Sequence, residues 1–211
     1  MGGDGAFDDG SRAAIRRAAH FERIRRPRMT DVTDSPPTAH SAIAEAEVGM
    51  AQETLSSIID GANPKGDVLS IAELAGVMAG KRTADLIPLV HPAGLTQLVV
   101  NAVPDRAASA VKIRVETAAI GSTGVEMEAL TAAAVAALTV YDMIRDIEPA
   151  AVVRSVKLVA SSAGDPDDEW RRPDEPAEQQ RAPKGVRTAG RIVPAPRGGV
   201  PFGPGPRRRT P

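Results

Sequence analysis

Glu126-Met127-Glu128 and Tyr141-Asp142, with Arg145 close behind, set ionisable side chains at both ends of an alanine-rich and almost wholly apolar stretch running from Ala129 to Val140. Carboxylates, an aspartate and a cation are the equipment of proton transfer and of anion binding. Burying an unpaired carboxylate costs several kcal/mol or forces its protonation. A helix used only for packing therefore has no need of Glu126 and Glu128 inside an apolar face. Glu128 and Asp142 are 14 residues apart, which on a helix puts them about 40° apart around the axis and roughly 21 Å apart along it. One compact site on one chain cannot hold both. Two readings stay open at this point: each end is a separate solvated cap, or each end is half of a site completed by a neighbouring subunit.

A second group of residues bears on that choice. Pro64-Lys65-Gly66-Asp67-Val68-Leu69 is followed by Ala75-Gly76-Val77-Met78-Ala79-Gly80-Lys81-Arg82-Thr83 and then by Asp85-Leu86-Ile87-Pro88-Leu89-Val90-His91-Pro92. Together with Gly124 to Asp142, these blocks closely resemble the cyclic pyranopterin monophosphate synthases, the second enzyme of molybdenum-cofactor biosynthesis. The likeness runs from about Met29 to Val159, and four blocks in the right order are far more specific than one short motif. The resemblance implies a ferredoxin-like α+β fold and a homo-oligomer, a hexamer built as a trimer of dimers, with active sites between subunits. It implies a GTP-derived triphosphate substrate, rearranged to a pyranopterin as pyrophosphate leaves. No metal or organic cofactor, no membrane and no specific nucleic acid is implied as a partner, and the expected location is the cytoplasm.

The resemblance assigns catalysis to Lys65 and Asp142, and substrate binding to His91, Glu126, Met127, Glu128, Lys81 and Arg145. Rebuilding a purine-derived ring requires protons to be delivered and removed at several heteroatoms, which suits lysine, histidine and carboxylates with tuned proton affinity. Lysines also counter the charge that gathers on a departing pyrophosphate. Gly121 and Gly124 precede a helix start whose free N–H groups suit a phosphate.

Several positions depart from the family pattern. Arg145 replaces a catalytic lysine; arginine stays charged near neutrality and holds phosphate without acting as acid or base. Ser35 and His40 stand opposite an early lysine and arginine, Ser122 replaces a basic residue, and Val90 replaces a cysteine. Ser161-Ser162-Ala163-Gly164-Asp165 takes the place of a loop rich in lysine and glycine. Nearly every change removes a positive charge or a titratable amine, at about 1.5 to 3 kcal/mol for each lost charge-assisted hydrogen bond.

Read without the resemblance, the same residues have plainer meanings. His91, after an apolar run and before Pro92, is a structural histidine. Lys65 is a solvated loop lysine. Glu126 and Glu128 are favourable charges in a first helical turn, and Met127 is a core filler. Asp142 is the hardest to dismiss, because it ends the apolar run.

The elements that must position these residues follow from composition and pattern. The chain has 211 residues, 42% hydrophobic, 25% charged and only 2% aromatic, with formal net charge −1. One domain with extensions and an aliphatic core of Val, Leu, Ile and Ala is expected, its small residues allowing close helix approach. There is no cysteine, so disulfides, thiolate metal sites and cysteine nucleophiles are excluded. His20, His40 and His91 are too scattered to suggest zinc.

Three parts are expected. Residues 1–28 form a Gly-, Asp- and then Arg-rich leader without an apolar signal core, and Met29 is a candidate true start. Residues 29–163 form the folded domain. Within it the pattern reads as strand (Ala42 to Met50), helices (Glu53 to Asp60, Val68 to Lys81), two strands (Leu95 to Val103, Val111 to Thr117), the long helix, and a strand (Val152 to Val159). Helices packed on one face of an antiparallel sheet fit that order. Residues 164–211, Pro- and Gly-crowded and ending Arg207-Arg208-Arg209, read as a disordered basic tail. Besides the enzyme, two other functions are consistent with the chain: a noncatalytic paralogue that binds nucleotide or assembles with an active homologue, and nonspecific nucleic-acid binding through the tail.

Overall fold

The computed structural model describes residues 27–164 and 169–174; the expected leader and most of the expected tail lie outside the described residues. Chain order is β1 (Thr38–Gly49), α1 (Gln52–Ile59), α2 (Val68–Gly80), α3 (Thr83–Leu86), β2 (Leu95–Asp105), β3 (Ala110–Gly121), α4 (Glu126–Ile144), β4 (Val152–Ala163) and β5 (Glu169–Arg171). The strands form one sheet in the order β2-β3-β1-β4-β5, every neighbour antiparallel. Leaving β5 aside, this is the βαββαβ arrangement of a ferredoxin-like α+β fold. Two elements go beyond the sequence expectation. The single turn α3 is pinned by the Thr83 hydroxyl, which donates to the Gly80 carbonyl at 3.0 Å. β5 falls in the segment read as tail; the Arg172 amide donates to Val159 O at 2.9 Å and its guanidinium to Leu158 O at 2.7 Å.

Strand alternation explains the layering. Ala42, Ala44, Ala46 and Val48 of β1 and Val111, Ile113 and Val115 of β3 point to one face and are buried. α4 lays Ala129, Ala132, Ala133, Ala136, Ala137 and Val140 on them. The alanines let helix and sheet approach closely, as the composition predicts. α2 runs alongside, and there glycine is required: a Cβ on Gly76 would stand 3.0 Å from Val100 and 3.1 Å from the Ala132 carbonyl. Glu73 of α2 accepts the Ala102 amide of edge strand β2 at 2.8 Å, which satisfies one backbone donor on an edge open to stray pairing.

Among the described residues the opposite sheet face carries no helix, and it is written in charges. Glu45 on β1 sits opposite Arg114 on β3 and Lys157 on β4, and Glu47 sits opposite Lys112. Arg114 bridges Glu45 at 2.9 Å and Glu116 at 3.0 Å, while Arg154 meets Glu47 at 2.8 Å. Glu45, Glu47, Lys112, Arg114 and Lys157, facing one another across strands, line a groove of about 530 Å³ together with Asn101 and Ser155.

Candidate active site

The two ends of α4 carry most of the expected site residues. At its C-terminal end, the loop 62–66 docks on the helix through Asn63, which is buried. The Asn63 amide group donates to Met143 O at 3.1 Å, and its oxygen accepts the Lys65 amide at 2.8 Å. The Gly66 amide closes the turn on Asn63 O at 3.0 Å, with Gly66 at φ 102°, a conformation that favours glycine. Asp67 then caps α2, accepting the amides of Leu69 and Ser70. The Ser70 hydroxyl is the main reason its carboxyl is held below the usual range.

Held between turn and cap, Lys65 turns its amine to the end of α4. Nζ donates to the Asp142 carbonyl at 2.6 Å and lies 3.0 Å from Asp146 Oδ2 and 4.0 Å from Asp142 Oδ2. Arg145 Nε meets Asp142 Oδ1 at 3.2 Å. Cations at this terminus complement the partial negative charge of the helix end. Tyr141 donates its hydroxyl to Pro149 O at 3.2 Å, fixing the turn that follows.

The other end is assembled by the segment from Gly121 to Glu128. The Thr117 hydroxyl stands 3.2 Å from the Val125 carbonyl and 3.3 Å from Ala42 O, tying the helix start to the sheet. Val125, the first residue before the helix, supplies no side-chain cap. The Glu126 carboxylate instead folds back onto Gly124, where a Cβ would collide with it. Glu128 is 2% exposed, and its Oε2 has no hydrogen-bond partner among the described residues. Burial pushes its carboxyl above the ordinary range, opposed by its own backbone amide and helped by the negative charge of Glu126. Met127 is half-buried between them.

α2 ends against this region: a Cβ on Gly80 would lie 3.4 Å from the Glu128 carbonyl, and Lys81 follows as an exposed C-cap. Half-buried His91 acts electrostatically on Asp31 of the N-terminal segment, whose carboxyl is held low mainly by the Thr33 hydroxyl. Lys65, Asp142 and Arg145 thus share one end of α4, while Lys81, Glu126, Met127 and Glu128 share the other. The rise of a 14-residue separation keeps the ends roughly 21 Å apart.

The MoaC family profile matches residues 29–164. The chain belongs to the MoaC family. It is 46% identical over 154 residues to the cyclic pyranopterin monophosphate synthase of Chloroflexus aurantiacus, covering 73% of this chain and 94% of that protein. A protein of the same name from a Roseiflexus strain is 48% identical over 145 residues, covering 69% of this chain and 92% of the relative. A third, from Cereibacter sphaeroides, is 43% identical over 145 residues, covering 69% and 91%.

For a MoaC-family chain, three of the departures in the sequence, Ser35, His40 and Ser122, fall together in space. The Ser122 hydroxyl donates to Ser35 O at 2.8 Å, so two positions expected to be basic are bonded to each other. His40, at 9% exposure, places Nε2 3.1 Å from Gly121 O and 2.9 Å from the Thr38 hydroxyl. A carbonyl only accepts, so Nε2 carries the hydrogen, and Nδ1 is left without a partner among the described residues. Two residues of this architecture escape sequence reasoning. Asn63 reads as an ordinary loop residue, and only the docked loop shows its role. Asp146 lies just past the end of α4, where a charge reads as solvated, and only its contact with Lys65 shows its role.

Proposed function

We propose that this chain is a cyclic pyranopterin monophosphate synthase of molybdenum-cofactor biosynthesis, a lyase. It converts (8S)-3′,8-cyclo-7,8-dihydroguanosine 5′-triphosphate to cyclic pyranopterin monophosphate and releases pyrophosphate. The observation that carries the reading is the Lys65–Asp142 constellation inside a family match spanning the whole described domain. Lys65, its amine set among oxygen acceptors, supplies charge and a transferable proton beside the reacting phosphate. The Asp142 carbonyl accepts from that amine, and its carboxylate, 4.0 Å away, is available to take a proton in return. Arg145 binds phosphate oxygens and leaves proton transfer to Lys65.

At the other end, Glu126 and Glu128 accept hydrogen bonds from the N–H groups of the purine-derived ring, with Met127 alongside. His91 and Lys81 complete the binding set. Because the ends stand too far apart to share one pocket on one chain, the active unit is a homo-oligomer, a hexamer arranged as a trimer of dimers, with sites between subunits. Residues 29–163, with β5 added to their sheet, form the catalytic domain, 1–28 a leader and the residues beyond β5 a tail. No metal or organic cofactor takes part, and the enzyme acts in the cytoplasm, where nucleoside triphosphates are made. α4 is long and apolar enough to span a membrane by length and composition, yet more than half of it is buried inside this domain, which is what a core helix needs.

Conversion of the cyclised dihydro-GTP by the purified chain tests the reading. Lys65→Ala and Asp142→Asn are each expected to abolish turnover while the oligomer stays intact; normal turnover in both would sink the assignment. Arg145→Lys is expected to remain active. Product from that variant alone, with none from the parent, would mark a decayed site on an intact fold. No product from either would favour a noncatalytic paralogue.

A further inference from the structure

We propose that Asp146 is an internal competitor for the Lys65 ammonium, a positioning residue that the substrate's phosphate must displace. The inference rests on the reading of Lys65 as a phosphate-facing group. An ammonium has three N–H donors. One is committed to the Asp142 carbonyl at 2.6 Å and a second to Asp146 Oδ2 at 3.0 Å. The Asp142 carboxylate stands at 4.0 Å, beyond hydrogen-bond reach, and is engaged by Arg145 at 3.2 Å. The carboxylate that binds the amine is therefore Asp146, not the partner named by the family pattern.

Placement explains why the contact forms. Asp146 follows the last turn of α4, where the helix end is already partly negative and a further carboxylate is unfavourable. Lys65 relieves both. Lys65, Arg145, Asp142 and Asp146 together carry no net charge, so an arriving triphosphate meets a neutral cluster in place of a cationic one. The competitor also stands on the open side. Asp146 has a side chain 66% exposed, whereas that of Lys65 is 31% exposed and backed by the docked loop. A phosphate oxygen coming from solvent can replace the Asp146 oxygen, leaving the bond to the Asp142 carbonyl in place. The exposed pair is weak, so displacement lowers apparent affinity by a small factor without blocking binding.

Titration of inorganic pyrophosphate into the full chain, followed by calorimetry, tests this in four proteins: the parent, Asp146→Asn, Lys65→Met and the double variant. Asp146→Asn is expected to tighten binding about two- to fivefold, and the gain is expected to vanish when Lys65 is absent. The KM for the GTP-derived triphosphate should fall by a similar factor in Asp146→Asn, with kcat little changed. An equal gain in both backgrounds would reduce Asp146 to a general charge effect and overturn the inference, as would no gain in either. If Lys65→Met alone leaves pyrophosphate affinity unmoved, the role given to Lys65 fails first and the inference falls with it.

Discussion

Glu128 holds the most costly position among the site carboxylates. Its buried Oε2 has no partner among the described residues, and its carboxyl is pushed above the ordinary value of 4.5 chiefly by burial. A group that holds its proton more tightly when folded favours the folded state below its ordinary range. That contribution is lost as pH rises through the folded value and charge is forced into the site. Glu128→Gln imitates the protonated acid. It should be roughly 1 kcal/mol more stable than the parent near neutrality, and the gap should close as pH falls to about 4.5. Melting temperatures of both proteins across that range check this, and a constant gap would contradict it. The triplet Glu126-Met127-Glu128 was legible as unusual, because two carboxylates inside an apolar pattern demand an account. What the pattern did not reveal is that burial separates them, with Glu126 folded onto Gly124 and Glu128 enclosed. Asp146 was not legible as part of the site, since a charge just past a helix end ordinarily reads as solvated.

The helices and strands with long periodic signals were all readable. α4 begins and ends where the Glu126 and Asp142 clusters suggested, and β1 to β4 follow the expected alternation, though each runs longer than the reading gave. α3 and β5 were not readable, because four and three residues are too few to show a period; both exist through contacts with already folded neighbours. The same holds for the loop 62–66, whose importance comes from Asn63 binding two partners at once. Asn63→Ala removes the bond to Met143 O and the one from the Lys65 amide, a loss of about 1–3 kcal/mol in stability for a buried donor and acceptor left unmet. Because the loop carries Lys65, turnover should drop by more than tenfold even where the variant remains folded. Parallel measurement of melting temperature and kcat/KM would show this, and full activity in a destabilised variant would mean that Lys65 is positioned by other means.

At the scale of the molecule, the length of α4 is the decisive quantity: in the proposed reading, a rod that holds Lys65 and Asp142 away from Glu126 and Glu128 draws the complementary end from a second chain. Lys65→Ala and Glu128→Gln chains, each expected to be inactive alone, should recover about a quarter of parental activity when assembled together at equal amounts, because a site between two subunits can then draw one intact half from each. Verified mixed oligomers without recovered turnover would show that the two ends do not meet. The distance between the two ends of α4 was foreseeable from spacing alone, whereas the charged sheet face emerged only once strand register was known. The sparse aromatic content has its own outcome for anyone who follows this protein spectroscopically. Its single tryptophan, Trp170, is 44% exposed on β5 with the Arg172 guanidinium 5.7 Å from its ring, far from the alanine-lined interior. Tryptophan fluorescence will therefore report first on that short strand and its surroundings, and circular dichroism or calorimetry is the direct record of the aliphatic centre.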